Sequence, residues 1–123
     1  MSEHARGDRL QRIQEQLGRG QLAAARRALD EWLAEAPEDP DALYLSAVVH
    51  RYAGAGDEAL RTLTRLKQLA PQFGRTHQEE GHLLKTLGRP TEALAAYRRA
   101  TVLNPALEAS FRGQLELLAG PEH

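Results

Sequence analysis

The stretch GRTHQEEGHLLKTLGRPTEALAAYRRATVLNPAL, residues 74–107, decides the fold, because its landmarks recur upstream at one spacing. Gly20, Gly54 and Gly88 stand 34 residues apart, and so do Pro37, Pro71 and Pro105. Ala25, Ala59 and Ala93 keep the same period. So do Leu29, Leu63 and Tyr97, followed by Trp32, Leu66 and Ala100. Columns that share a period mark an internal repeat, one supersecondary unit used several times over. Each column has a physical task. The glycine permits the left-handed backbone that ends one helix and starts a tight turn. The alanine lets two helices approach closely where they cross. The larger residues four and seven positions later share its helical face and fill the core. The proline stops the second helix by pushing the residue before it out of helical geometry.

The rest of the chain agrees with helical hairpins. Valine is confined to Val48, Val49 and Val102 and isoleucine to Ile13, while Ala, Leu, Arg, Glu and Gln dominate. Those residues favour helix over strand. The pattern predicts helix pairs at about 8–18 and 21–35, 40–53 and 56–70, and 74–87 and 90–103. Pro90 falls at a helix start, where its missing N–H costs nothing. A seventh helix is expected over about 106–119, with Phe111, Leu115 and Leu118 as its apolar stripe. Gly113 inside it should cost roughly 1 kcal/mol relative to alanine. Residues 1–7 are expected to be a flexible N-terminus, 8–119 one domain, and 120–123 a tail.

The 34-residue pattern resembles the tetratricopeptide repeat, a helix-turn-helix unit. Gly81, Leu84, Gly88, Ala93, Tyr97, Ala100 and Pro105 fall on that family's typical positions. Leu43, Ala47, Gly54, Ala59, Leu63 and Pro71 do so in a middle repeat, about 40–73. A first repeat, about 6–39, has Gly20, Ala25, Leu29 and Pro37 but carries Ile13 and Gln16 where small and aromatic residues are usual. The resemblance implies an all-α, right-handed α-solenoid of three repeats (the third about 74–107) closed by a C-terminal capping helix.

Bulk properties narrow the function. A charge near −1 gives no general pull toward nucleic acid or anionic membrane, and neither is expected as a partner. Without cysteine there is no disulfide, thiolate catalysis or cysteine-based zinc site. No apolar run approaches a membrane span of roughly 18 residues, and MSEHARGDRL has no apolar core of a secretory signal. A cytoplasmic location is expected.

HQEEGH, residues 77–82, invites comparison with a zinc-protease motif. A helical metal pair is spaced i to i+4, whereas His77 and His82 are five apart. At about 100° per residue their rings diverge by roughly 140°. The repeat register turns His77 toward the neighbouring helix and His82 toward the concave side. His4, His50 and His123 add no cluster, and His50 is expected to be packed. Glu79 and Glu80 are adjacent and point apart, so they form no acid–base pair. GAGDEAL at Gly54 lacks the lysine of a phosphate loop. No metal, no cofactor and no catalysis by this chain alone are expected.

By the family's pattern the first helix of each pair lines a concave groove for a protein or peptide. Its positions here are Leu10, Gln14 and Leu17; then Tyr44, Val48, Arg51 and Tyr52; then Arg75, Gln78, His82 and Lys85; and Arg112 with Glu116 from the last helix. Tyrosine and arginine are enriched at binding hot spots. Some relatives clamp the carboxylate of chaperone tails, and the matching residues are Leu10, Gln14, Leu45, Arg75 and Glu79. Glu79 would repel a carboxylate there, so an internal segment suits the groove better. Two alternatives stand beside the groove. The repeat region is similar to that preceding the sulfotransferase domain in some bacterial tetratricopeptide proteins, which implies a module of a larger enzyme. Trp32 and Leu33 on the outer helix of the first repeat offer an apolar edge for homodimerisation.

Overall fold

The chain was analysed as a computed structural model that describes residues 2–119. Seven helices are present among the described residues: α1 (Glu3–Gly18), α2 (Leu22–Glu35), α3 (Pro40–Tyr52), α4 (Gly56–Leu69), α5 (Gly74–Thr86), α6 (Pro90–Leu103) and α7 (Glu108–Leu118). Their bounds match the expected ones closely except at the N-terminus, and the expected 120–123 tail lies outside the described residues.

The turns show why the period holds. Gly20, Gly54 and Gly88 have φ of 73°, 75° and 74°, a left-handed conformation that glycine adopts without a Cβ penalty. The residue after each glycine donates its amide back to the carbonyl five positions earlier: Gln21 to Gln16, Ala55 to His50, Arg89 to Leu84. This six-to-one bond, with the glycine in the left-handed region, is the Schellman stop of a helix. The second turn also repeats. Ala36, Ala70 and Asn104 each donate to the carbonyl four residues back at 2.8 Å, directly before Pro37, Pro71 and Pro105.

The chain divides into two compact units, Met1–Thr62 and Leu63–His123. In the first, α1, α2 and α3 pack around Ile13, Ala25, Leu29, Trp32, Ala42, Leu45 and Val49. In the second, α5, α6 and α7 pack together, and Leu84, Ala93, Ala96 and Tyr97 form a buried cluster with Leu117 against it. Burying a leucine or valine fully stabilises by about 1.5–3 kcal/mol, so these columns carry much of each unit's stability.

Three expectations are corrected. Residues 2–7 of the expected N-terminal 1–7 segment are not a free arm, because α1 starts at Glu3 under a Ser2 cap (Ala5 N to Ser2 Oγ, 3.1 Å). Arg6 then anchors it. Its guanidinium donates to both Asp39 oxygens at 2.8 and 2.9 Å and to Asp41 at 2.6 Å. Trp32 is no apolar edge: it is fully buried, with the Arg6 and Arg9 guanidinium carbons each 5.8 Å from its ring. The Phe111–Leu115–Leu118 stripe is not the packed face of α7. Those side chains are 46%, 67% and 47% exposed, and Ser110, Gly113 and Leu117 face the core instead.

Candidate functional site

Gly113 shows how α7 docks. A Cβ on it would lie 2.6 Å from two atoms of the Tyr97 ring. A Cβ on Gly81 of α5 would lie at the same 2.6 Å from the opposite edge of that ring. Tyr97 is therefore clamped between two glycines, and only bare backbone admits it. The ring's hydroxyl reaches His82 Nδ1 at 2.6 Å, with the two rings edge to face. Gln114 donates to the Tyr97 carbonyl at 3.3 Å and to Thr101 Oγ1 at 3.2 Å, and Ser110 donates to Gln78 Oε1 at 2.9 Å.

HQEEGH dissolves into these contacts. His82 turns to Tyr97, while His77 Nδ1 turns to Glu80 at 3.7 Å. Burial pushes the Glu80 carboxyl up, but hydrogen bonds from His77 and Lys67 outweigh it and hold it below the usual range. Glu79 is buried. Among the described residues no group of three or more His, Asp or Glu side chains is placed to hold a metal ion, and no helix is long and apolar enough to cross a membrane. His50 is half-buried, and burial, then the charge of Arg26, hold its imidazole below the ordinary value.

The groove residues sort differently in the two units. In the first, Leu10, Leu17 and Tyr44 are half-buried against the core, Gln14 is exposed and Val48 is buried. Tyr52 is 55% exposed, with the Arg51 guanidinium 4.6 Å above its ring, a cation–π stack. A cavity of about 360 Å³ opens beside them, lined by Leu17, Gly18, Gly20, Leu22 and Tyr52. The sequence-predicted Leu17 and Tyr52 thus meet at one concavity. Leu22 and the two glycines of the wall were missed, although Gly18 and Gly20 flank a turn that had been recognised. In the second unit, Gln78 is buried under Ser110 and cannot line a groove, which corrects its assignment. Lys85 pairs with Glu116, whose carboxyl this lysine holds below the usual range, so the charge at that groove position is partly neutralised. His82 and Arg75 are half-buried and Arg112 is exposed.

Comparison with known proteins places this geometry. Two tetratricopeptide-repeat family models match, at residues 16–85 and 79–120. DnaJ homolog subfamily C member 3 of Rattus norvegicus is 33% identical over 109 residues, 86% of this chain and 21% of that protein. The chain thus spans about a fifth of the length of the curated relatives it matches. Among solved structures, a variant of the Thermobaculum terrenum O-GlcNAc transferase superposes with a TM-score of 0.82 at 24% identity, covering 96% of this chain and 23% of that one. The Yersinia enterocolitica type III secretion chaperone SycD, in complex with a peptide of the translocator YopD, gives 0.75 at 16% identity, over 96% and 93% of the two chains. With a family model covering more than half of its length and the family's turns repeated at each glycine, the chain belongs to the tetratricopeptide-repeat family, a protein-interaction scaffold.

Proposed function

We propose that the chain binds a segment of a partner protein, and that the cavity at Leu17, Leu22 and Tyr52 receives an apolar side chain of that segment. The observation that carries this reading is the cavity itself. Its volume exceeds that of one leucine or phenylalanine side chain, its walls are more apolar than polar, and the half-exposed Tyr52 ring stacks under the Arg51 guanidinium. Aromatic and arginine side chains around an apolar pocket are the usual anchors of a recognition site. The peptide seen on SycD, a chaperone of the same fold, supports a peptide as the kind of partner.

Gly18 allows a test by filling. A Cβ there meets nothing within 4 Å and its backbone is helical, so Gly18→Leu adds a side chain beside the cavity and leaves the core alone. Peptides selected from a random display library on the intact chain should bind Gly18→Leu and Tyr52→Ala at least about tenfold more weakly, with helical content unchanged. Undiminished binding to both variants would refute this assignment. A second reading, a module of a longer protein, is favoured by the small share of its relatives that the chain spans. The mass of the native protein in its source cell tests it.

A further inference from the structure

Charge in the first unit is sorted toward its two ends. α1 and α2 meet at the 19–21 turn, and Tyr52 at the end of α3 joins Leu17 and Leu22 there in the cavity wall. The starts of α1 and α3 meet at the far end, where Arg6 bonds Asp39 and Asp41. Residues 1–10 and 29–46 make up that far half and hold eight carboxylate side chains and two arginines. Residues 11–28 and 47–62, the half with the cavity, hold six arginines and three carboxylate side chains. A unit with more acidic than basic residues thus has a positive end, and the cavity opens there. The charges next to the wall have the same sign. Gln16, Arg19, Gln21, Ala23, Arg51 and Ala53 adjoin the wall residues along the chain, and the two that are charged are both arginines. Arg19 stands between the wall glycines Gly18 and Gly20 with its side chain exposed, and Arg51 lies over the Tyr52 ring. Of the carboxylates in this half, Glu58 pairs with Arg61 at 3.2 Å and Glu15 accepts from Gln11 at 3.4 Å.

We infer that the segment received by this cavity is acidic, with Asp or Glu side chains flanking its apolar anchor. This rests on the cavity being the binding site, as proposed above. The anchor supplies burial, and the flanking carboxylates meet the Arg19 and Arg51 guanidiniums. An arginine offers a planar fork of donors that matches a carboxylate. A segment with lysines in the same places meets like charge at the rim, and that repulsion makes the site selective. Exposed ion pairs each contribute little, so the effect is a preference of about tenfold among segments that share one anchor. Near physiological ionic strength salt screens such charges beyond about 8 Å, so the preference shrinks as salt rises.

Fluorescence anisotropy with three short labelled peptides tests this on the intact chain. Each probe has a central phenylalanine flanked on both sides by glutamates, by glutamines or by lysines. The glutamate probe should bind about tenfold more tightly than the lysine probe, with the glutamine probe between them. The gap should close in about 0.5 M salt. Arg19→Glu changes an exposed side chain and should remove most of the gap, with helical content unchanged. Glu38→Lys, at an exposed site in the far half, should leave the gap as it is. Gly18→Leu should weaken all three probes. Equal binding of the three probes, still weakened by Gly18→Leu, would overturn the acidic preference and leave the cavity as the site. Binding indifferent to Gly18→Leu would overturn both. No binding of the glutamate probe at millimolar protein, or a gap moved as much by Glu38→Lys as by Arg19→Glu, would also overturn the acidic preference.

Discussion

Replacing Gly113 with alanine sets two effects against each other. On helix preference alone, glycine to alanine inside a helix stabilises by about 1 kcal/mol. The structure reverses the sign. The new Cβ would lie 2.6 Å from the Tyr97 ring, about 1 Å inside ordinary carbon–carbon contact. Tyr97 has little room to retreat, because the Gly81 backbone lies against its opposite edge, where a Cβ would likewise fall 2.6 Å from the ring. Overpacking a closed site costs about 1–3 kcal/mol, so a net loss of up to about 2 kcal/mol is expected for Gly113→Ala, and the same for Gly81→Ala. The double variant should lose more than the sum, because neither side then yields. Gly7 supplies the control. It lies in α1 with nothing within 4 Å of a Cβ, so Gly7→Ala should stabilise by up to about 1 kcal/mol. Urea and thermal unfolding of the four variants reads the signs directly, with roughly 4 °C of midpoint per kcal/mol. If Gly113→Ala gained stability as Gly7→Ala does, the clamp on Tyr97 would not exist.

Three further outcomes follow from the same contacts. Arg6→Ala should cost about 1–2 kcal/mol near pH 7 by urea unfolding, since it removes charge-assisted bonds to Asp39 and Asp41. Burial raises the Asp39 carboxyl, but bonds from Arg6 and the Ala42 and Asp41 amides bring it below the ordinary value. Its stabilisation is therefore full above the ordinary Asp pKa of about 4 and lost as pH falls through the lower folded value, so wild type and Arg6→Ala should converge once the pH is below that value. Trp32→Ala should cost about 3–5 kcal/mol in chemical denaturation, because the indole is fully buried. Tyr97→Phe should cost only about 1 kcal/mol in the same assay and move the His82 ring resonances in NMR spectra, because it deletes the hydroxyl and keeps the ring.

The turns were legible because each position admits few residues. A φ near +74° calls for glycine, and Gly20, Gly54 and Gly88 supplied it at a fixed period. What escaped reading was long-range. Nothing within α1 announces that Arg6 meets Asp39 and Asp41, 33 and 35 residues away, and without them the first turn reads as a loose arm. Gly113 read as a cost because one helix does not reveal the aromatic ring laid against it. Phe111, Leu115 and Leu118 were legible as one stripe of α7, but periodicity tells which residues share a face and not which face is covered. At the candidate site, the aromatic and apolar types of Tyr52 and Leu17 drew attention, whereas the cavity between them depends on the missing side chains of Gly18 and Gly20. Gln78 looked like a groove residue until its partner Ser110, 32 residues on, accounted for it.

The central claim, that a partner segment seats in the concavity of the first unit, is tested most directly by NMR. A display-selected peptide would be titrated into isotopically labelled protein, and the amide and methyl shifts followed. The account predicts saturable changes concentrated at Leu17, Gly18, Leu22, Arg51 and Tyr52. Changes centred instead on the exposed Arg26, Arg27, Asp30 and Glu31 side of α2 would contradict it.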